Sequence, residues 1–495
     1  KLMGRMALAE KLGQLNMLSG DWVITGPVIP TRYLDGVKRG EVGAIFNLWT
    51  REATRAAQRM ALEETRLGIP LLFGLDVIHG HRTLFPNGLA EACAFDPELW
   101  RTPARAAARE AADDGLHLTF APMIDICRDP RWGRIAEGPG EDAHVASVMA
   151  RAKTQGFQGE DLAQPDGVAA TAKHFCGYGA SEGGRDYAAV DLSQRQIEEA
   201  YLPPFKAAIE AGVAAVMPAF NDLAGVPMTA HPAMLDGVLR KRWGFAGVLI
   251  SDYTAIKELI HHGVAADLTH AAALALNAGV DIDMMSQAYI HHLPEALERG
   301  LVSMEAIDAS LARVLALKEA LGLFDDPYRE GAALKRKDFA AHRALAREAA
   351  VKSMVLLQNR RDVLPLAAQA RRIAVIGPLA DAKAEMFGSW PGVAGASEAV
   401  TFLEGLNAAL PQAQIVAAPG VPIEGGDMAG VEAALAAARA ADVVVLCVGE
   451  GAEMSGEAAS RADPGLPGHQ RALAEAVLAL GRPHVVALCA GRPLT

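Results

Sequence analysis

The sequence predicts an α/β protein in which a (β/α)8-type barrel is followed by a parallel α/β sandwich. Three observations support this fold class. Over about the first 320 residues, short apolar runs alternate with amphipathic helical segments, as in a parallel sheet with helical crossovers. Residues 322–328 then interrupt the pattern with Gly, Asp and Pro, and a second, shorter alternation begins at Ile373. An open doubly wound sheet is the alternative for the first part, because periodicity does not distinguish it from a barrel.

The first part contains seven apolar runs of the kind found in strands that are buried on both faces. We predict these strands at residues 43–46, 71–75, 118–123, 169–174, 214–217, 248–251 and 280–284. Apolar residues recur with helical periodicity between most of them, at residues 51–65, 97–113, 142–155, 193–211 and 231–242. A last helix is predicted at residues 304–321. An eight-stranded barrel requires one further strand, which the pattern does not reveal.

The second part follows a charged linker and a helix predicted at residues 339–356. Its strands are predicted at residues 373–376, 415–418, 443–448 and 484–488, with helices at 402–410, 431–441 and 469–480. We therefore divide the chain into a barrel (residues 1–325), a linker with a bridging helix (326–365) and an α/β sandwich (366–495). The chain stops directly after a strand, and we expect the natural protein to continue.

The composition excludes several classes of function. The net charge is -12 and no run is rich in Lys and Arg, so the basic surface that nucleic acids require is absent. No apolar stretch approaches the roughly 18 residues that span a bilayer. The five cysteines are scattered and odd in number, which argues against a disulfide framework. The closely spaced histidines lack the i, i+4 spacing of a helical zinc site, and a G-x-G-x-x-G loop is absent. We predict no metal, no nucleotide cofactor, no nucleic-acid partner and no membrane partner, and the sequence does not fix the oligomeric state.

The stretch 247–253 is the centre of the predicted site. An apolar strand ends there at Asp252, and a helical pattern at residues 254–262 follows at once. Side chains just past the carboxyl end of a parallel strand face the substrate crevice, so Asp252 is the candidate nucleophile. The alternative is that Ser251 or Asp252 only caps the following helix.

Other polar residues also gather where predicted strands end. Because a strand buried on both faces tolerates ionisable groups chiefly at its mouth, these residues suggest one pocket for a polyhydroxylated ligand. Internal salt bridges of Asp125 and Arg134, or a core position for His174, are the alternatives. The residues are Asp76, His79, Asp125, Arg128, Arg134, Lys173 and His174.

Three motifs resemble the fingerprints of family-3 glycoside hydrolases, above all the bacterial periplasmic β-glucosidases of that family. They are Lys173-His174-Phe175, the run 128–134 with the acidic residues behind it, and Ser251-Asp252-Tyr253. The resemblance covers essentially the whole chain. It implies a retaining, exo-acting hydrolase of terminal β-glucosyl residues that needs no cofactor and lies in the periplasm or outside the cell.

The resemblance also implies roles for individual residues. The nucleophile of the family falls on Asp252, and the subsite for the terminal sugar falls on four residues. At a position near Asn221 that is often tyrosine in the family, this chain has Phe220, which has no hydroxyl to contact the sugar. The four residues of the sugar subsite are Asp76, Arg134, Lys173 and His174.

A retaining mechanism requires a second carboxyl group, which serves as acid and then as base. The loop of about 20 residues between residues 448 and 469 is longer than a connection needs and carries several acidic residues. Its Ser455-Gly456-Glu457 triplet resembles the family pattern and selects Glu457, with Glu450 and Glu453 as alternatives. An acidic surface loop without a catalytic role is the opposing interpretation.

A difference from another branch of the family limits which sugar the resemblance implies. Enzymes acting on N-acetylglucosaminides have a second histidine after the Lys-His motif, where this chain has Tyr178. A tyrosine, with an unperturbed pKa near ~10, is a poor general acid at neutral pH. This difference favours a glucosidase or xylosidase over a hexosaminidase. The resemblance then implies a β-linked glucoside or short β-glucan oligosaccharide as the ligand. A β-xylosidase or mixed-specificity exo-glycosidase, and a sugar-binding relative without catalysis, are the alternatives.

Overall fold

Eight parallel strands form one closed sheet in the first part of the chain, which confirms the predicted barrel. The computed structural model describes residues 1–22, 31–329, 333–367, 370–395 and 399–495. Neighbouring strands pair in parallel, and a bridge between Ile250 and Ile282 joins the two ends of the sheet. The strands of this part, including an antiparallel hairpin of β7 and β8, are β1 (Asn16–Ser19), β2 (Ala44–Phe46), β3 (Leu72–Leu75), β4 (Leu118–Thr119), β5 (Ala169–Phe175), β6 (Ala215–Pro218), β7 (Asp222–Leu223), β8 (Val226–Pro227), β9 (Val248–Leu249) and β10 (Asp283–Met284).

Helices follow the barrel strands as crossovers, and side-chain caps fix where several of them begin. Helix α5, for example, begins at Pro97 because the side chain of Asp96 accepts hydrogen bonds from the next free backbone N–H groups. Two crossovers contain π-helical segments, at Ile197–Tyr201 and Ala233–Arg242. The α-helices are α1 (Leu8–Gln14), α2 (Tyr33–Arg39), α3 (Arg51–Glu63), α4 (Gly88–Ala92), α5 (Pro97–Asp113), α6 (Ala143–Gln158), α7 (Gln194–Gln196), α8 (Pro203–Glu210), α9 (Ala255–Glu258), α10 (Leu268–Ala278), α11 (Ala288–Glu298) and α12 (Met304–Ala320).

The strand that the pattern does not reveal is β1. Its four residues are all buried and pair with β2 and β10. It begins two residues after the end of α1 and contains two polar residues, Asn16 and Ser19. The sequence therefore lacks the long apolar run and the turn residues that mark the other strands.

Helix α12 closes the amino-terminal end of the barrel through a buried lysine. The Lys318 ammonium donates to the side-chain oxygen of Gln14 at 2.6 Å and to the carbonyl oxygens of Gly43 and Pro70 at 2.9 and 2.7 Å. These acceptors precede β1, β2 and β3. Since this end of a barrel carries stability rather than chemistry, Lys318 ties the last helix to the first three strands.

The second part is a parallel α/β sandwich, as predicted. Its sheet has the order β12-β11-β13-β14, and all neighbouring strands are parallel. Alternate residues of β11 and β13 enter two separate apolar clusters, one on each face of the sheet, as expected for strands covered on both sides. The elements are α13 (Arg336–Ser353), β11 (Arg372–Ile376), α14 (Phe402–Ala409), β12 (Gln414–Ala418), α15 (Val431–Ala440), β13 (Val443–Gly449), α16 (Gln470–Leu478) and β14 (His484–Cys489).

Two predicted helices are wrong at their carboxyl ends. The helix predicted at 339–356 begins earlier and ends at Ser353, because Met354 is extended and the apolar residues behind it do not pack against the core. The helix predicted at 254–262 is reduced to α9, and tighter i to i−3 bonds at Leu259 and Ile260 carry the chain to Gly263. The three-part division of the chain stays a prediction, and its residues 23–30, 330–332, 368–369 and 396–398 lie outside the described residues. None of the helices described is both long and apolar enough to cross a membrane.

Candidate active site

A pocket of about 630 Å³ opens at the carboxyl end of the barrel. All six residues to which the family resemblance assigns a catalytic or sugar-binding role line it, although they come from two parts of the chain. Three other residues expected in the pocket do not line it, namely His79, Asp125 and Arg128. Its other lining residues are mostly aromatic or apolar, which suits a sugar ring that presents both hydroxyls and C–H groups. The lining comprises Phe46, Asp76, Phe120, Arg134, Lys173, His174, Tyr187, Met217, Phe220, Asp252, Tyr253, Thr254, Glu258, His261, His262, Met284, Trp390 and Glu457.

Asp252 lies just past β9 with one carboxylate oxygen held and the other free to react. Oδ1 accepts the backbone N–H of Tyr253 at 2.7 Å. Oδ2 is buried, has no hydrogen-bond partner among the described residues, and lies 3.6 Å from His174 Nε2. Burial and the charge of Glu457 raise the pKa of Asp252 to about 7, against the opposing effect of Lys173 and Arg134. The structure thus presents an unbonded carboxylate oxygen to the pocket, beyond what a helix cap requires.

His174 is held from behind by Asp125. Its Nδ1 lies 2.8 Å from Asp125 Oδ2, and its backbone N–H donates to the same oxygen at 2.9 Å. Burial, together with the charges of Arg134 and Lys173, holds the pKa of His174 well below its usual value, so the ring is neutral and Nε2 faces the pocket. Asp125 therefore orients His174, and its predicted place in the pocket wall is wrong because its side chain turns toward β5.

Two buried ion pairs shape the floor of the pocket. Lys173 Nζ donates to Asp76 Oδ1 at 2.9 Å. Arg134 donates from Nε and Nη2 to the two oxygens of Glu137, at 2.9 and 3.0 Å. The internal salt bridge considered for Arg134 is therefore present, and the same guanidinium also lines the pocket. Both pairs fix charged groups where sugar hydroxyls can bind them.

The sandwich contributes Trp390, which the sequence interpretation missed. The centre of its ring lies 5.6 Å from Lys173 Nζ and 5.9 Å from Arg134 Cζ, within the range of cation–π attraction. His79 supports this residue, because its Nε2 lies 2.8 Å from the carbonyl oxygen of Ser389. The sequence feature that could have identified Trp390 is a tryptophan in a loop that contains Gly, Ser and Pro and follows the first strand of the sandwich.

Glu457 is the acidic residue of the 448–469 loop that reaches the pocket. Its Oε1 accepts the hydroxyl hydrogen of Tyr187 at 2.7 Å and lies 3.6 Å from Arg134 Nη1. Glu450 is buried and pairs with Arg461 and Arg492, so it serves the structure of the loop. The remaining alternative, Glu453, is exposed and does not line the pocket.

Tyr178 and Phe220 pack against Tyr187, the hydroxyl partner of this carboxylate. Tyr178 is buried, its ring centre lies 5.6 Å from Arg134 Cζ, and burial raises its pKa well above the usual value. It is therefore unsuited to donate a proton, in agreement with the interpretation of the sequence. The ring of Phe220 packs edge-on against Tyr187, with 5.4 Å between ring centres. Like Trp390, Tyr187 lines the pocket although the sequence interpretation did not select it.

Arg128, at the start of the 128–134 run, does not line this pocket. Arg128 lines a separate, shallower cavity of about 440 Å³ together with Asp129 and Arg131. In the described ranges, no three His, Cys, Asp or Glu side chains are grouped so that they could hold a metal ion. The prediction that no metal is required remains a prediction.

Comparisons with known proteins agree with this architecture. The model of the glycosyl hydrolase family 3 N-terminal domain matches residues 7–317, and that of the C-terminal domain matches residues 354–495. A periplasmic β-glucosidase of Salmonella typhimurium is 42% identical over 100% of this chain and 67% of its own length. A β-xylosidase of Formosa agariphila is 36% identical over 87% of this chain and 63% of its own length.

A solved structure of similar shape is the β-glucosidase from Listeria innocua in complex with isofagomine. It superposes with a TM-score of 0.94 at 40% identity, covering 100% of this chain and 69% of that protein. The chain thus spans about two thirds of the length of these β-glucosidases. Because both domain models match and together cover most of the sequence, the chain belongs to glycoside hydrolase family 3.

Proposed function

We propose that this chain carries the active site of a retaining, exo-acting β-glucosidase with Asp252 as nucleophile and Glu457 as acid and base. The observation that carries the proposal is one pocket lined by both carboxyl groups, one from the barrel and one from the sandwich. The predicted activity agrees with the names of its relatives in Salmonella and Listeria.

The first step would form a covalent glycosyl-enzyme. Asp252 Oδ2 attacks the anomeric carbon while Glu457 donates its proton to the glycosidic oxygen, so that the C–O bond breaks and the aglycone leaves as an alcohol. The unbonded state of Oδ2 suits the attack, because no hydrogen bond to that oxygen must be broken first. Lys173 and Arg134 favour the ionised carboxylate that the attack requires.

In the second step, water would release the sugar with retention of configuration. Glu457, now a carboxylate, takes a proton from water as the oxygen of that water attacks the anomeric carbon and displaces Asp252. The positive charge that develops on the sugar ring lies near two carboxylates. Hydrogen bonds between the pocket residues and the sugar that are stronger in this transition state than in the bound ground state accelerate the reaction.

The substrate-holding residues would bind one terminal sugar. Asp76 can accept hydroxyl hydrogens, Lys173 and Arg134 can donate to hydroxyl oxygens, and His174 Nε2 can accept one because Asp125 holds Nδ1. Trp390 offers an apolar face to the ring. Because these groups would hold the sugar that carries the anomeric carbon, we propose cleavage at the non-reducing end of a β-linked glucoside or short β-glucan oligosaccharide.

Three measurements test this function. Hydrolysis of p-nitrophenyl β-glucoside and β-xyloside is compared, and a higher kcat/KM on the xyloside would support the β-xylosidase alternative that the Formosa relative raises. Proton NMR of the first product should show β-glucose before mutarotation, whereas α-glucose would exclude a retaining mechanism. Tight binding of glucose with no turnover of either glycoside would support the sugar-binding alternative.

The cellular location and the domain division are part of the same proposal. A periplasmic location is suggested by the name of the Salmonella relative. The division into a barrel (1–325), a linker with a bridging helix (326–365) and a sandwich (366–495) agrees with the elements of the described ranges. Limited proteolysis tests it, since the first cut is expected between residues 326 and 365.

A further inference from the structure

We propose that Asp186 and Tyr187, on the barrel loop that follows β5, position the acid/base carboxylate of Glu457. This inference rests on the proposed function, because it assigns a role to the partners of Glu457. It concerns how a catalytic group that belongs to the sandwich is aligned with a nucleophile that belongs to the barrel. The two residues are positioning residues, since they act through Glu457.

Asp186 holds the backbone of the acid/base loop against the barrel. Its Oδ1 accepts the indole N–H of Trp132 at 2.9 Å, and its Oδ2 accepts the backbone N–H of Ala458 at 2.8 Å. Its own backbone N–H donates to Ser460 Oγ at 2.9 Å. Trp132 is fully buried in the barrel, so Asp186 links a rigid part of the barrel to the residue that follows Glu457.

Tyr187 holds the carboxylate itself. Its hydroxyl donates to Glu457 Oε1 at 2.7 Å, and its backbone N–H donates to Asp186 Oδ1 at 3.2 Å. Its ring packs against Phe220 and Tyr178, with ring centres 5.4 and 6.4 Å away. Burial and the charge of Glu457 raise the pKa of Tyr187 above its usual value. The hydroxyl therefore keeps its proton and remains a donor across the working pH range.

The contacts select which oxygen of Glu457 transfers the proton. Both Tyr187 and Arg134 approach Oε1, which leaves Oε2 as the oxygen that gives a proton to the leaving group and later takes one from water. The phenylalanine at position 220 lacks a hydroxyl, and Tyr187 reaches the same side of the pocket from another loop. A hydroxyl is thereby supplied to the site by residue 187.

The test is the variant Tyr187→Phe, which removes the hydroxyl and retains the ring. Phenyl β-glucoside needs a protonated leaving group, whereas 2,4-dinitrophenyl β-glucoside does not. General acid catalysis contributes about 10²–10⁴-fold, so partial misalignment should lower kcat/KM on the phenyl glucoside by about 10- to 100-fold and on the dinitrophenyl glucoside by less than about threefold. Tyr328→Phe, outside the pocket, is the matched control.

The variant Glu457→Ala separates this inference from the proposed function. If Glu457 is the acid/base, Glu457→Ala is impaired on the phenyl glucoside far more than on the dinitrophenyl glucoside, and adding Tyr187→Phe changes neither rate further. An equal loss on both substrates in Tyr187→Phe, no loss, or the same loss in the Glu457→Ala background would overturn the positioning role alone. Normal hydrolysis of phenyl glucoside by Glu457→Ala would overturn the acid/base assignment and this inference with it.

Discussion

The variant Glu137→Gln tests whether the buried ion pair of Arg134 organises the site. Glu137 binds Arg134 through two parallel hydrogen bonds, and both side chains are almost fully buried. Glutamine keeps the size of the side chain and one acceptor but removes the negative charge. The Arg134 charge then stays buried with its nearest remaining carboxylate at Glu457, 3.6 Å from Nη1.

Removing one partner of a buried ion pair costs about 3–5 kcal/mol, and glutamine retains part of the hydrogen bonding. We therefore expect Glu137→Gln to lower the free energy of unfolding by about 2–4 kcal/mol. Arg134 should also turn toward Glu457 and hold it as a carboxylate, which opposes its role as an acid. We expect Glu137→Gln to raise the activation barrier by about 3 kcal/mol for this reason, which corresponds to roughly a 10²-fold loss in kcat/KM.

Urea denaturation and steady-state kinetics on a phenyl β-glucoside measure these two effects. Glu141→Gln is the control, because Glu141 is exposed on the same loop and its replacement should change the unfolding free energy by less than about 0.5 kcal/mol. If Glu137→Gln unfolds at the wild-type urea concentration and keeps kcat/KM within threefold of wild type, the reasoning about this ion pair is refuted.

Three further predictions concern other parts of the molecule. Asp252→Asn should reduce kcat by about 10³-fold or more, whereas the control Asp236→Asn, at a solvent-exposed ion pair, should leave kcat unchanged. In the wild type, kcat/KM should fall as the pH drops below about 7, because Asp252 becomes protonated there. An acidic limb of the pH profile far from pH 7 would contradict this assignment. Trp390→Ala should raise KM for glucosides by about 10-fold through loss of stacking and cation–π contact, and an unchanged KM would show that the ring does not hold substrate. Lys318→Met should destabilise the fold by about 2–4 kcal/mol because three buried acceptors lose their donor, with activity at low temperature retained. Burial lowers the pKa of Lys318 to about 7, so between about pH 7 and 10.5 this lysine is protonated in the unfolded chain and neutral in the folded one. The free energy of unfolding of the wild type should therefore rise more than that of Lys318→Met as the pH increases through this range. Urea midpoints that change equally with pH in the two proteins would contradict the assignment.

The sequence predicted the parts of the site that follow from strand order. Asp76, Lys173, His174 and Asp252 each lie at the carboxyl end of a short apolar run, and parallel strands bring such ends to one edge of a barrel. All four line the pocket. The strand β1 was not predicted, because no turn residues directly precede its four residues and it follows a helix almost at once.

The residues that were missed depend on contacts between distant parts of the chain. Trp390 meets the pocket because the sandwich packs on the barrel. Tyr187 lies on the barrel loop after β5, and its partner Glu457 comes from the sandwich. No local sequence pattern encodes either contact. Asp125 was misplaced for a related reason. It follows β4 by several extended residues, and periodicity does not reveal that its carboxylate turns back to His174. Glu457 was identified from its family motif rather than from spacing.

The most direct test of the proposed mechanism is to trap the glycosyl-enzyme. The protein is incubated with 2,4-dinitrophenyl 2-deoxy-2-fluoro-β-glucoside, whose fluorine slows both steps while the good leaving group restores only the first. Peptide mass spectrometry should then find one fluoroglucosyl group on the peptide that contains Asp252. An adduct on a different residue, or no adduct in a protein that rapidly hydrolyses the unmodified glucoside, would contradict Asp252 as the nucleophile.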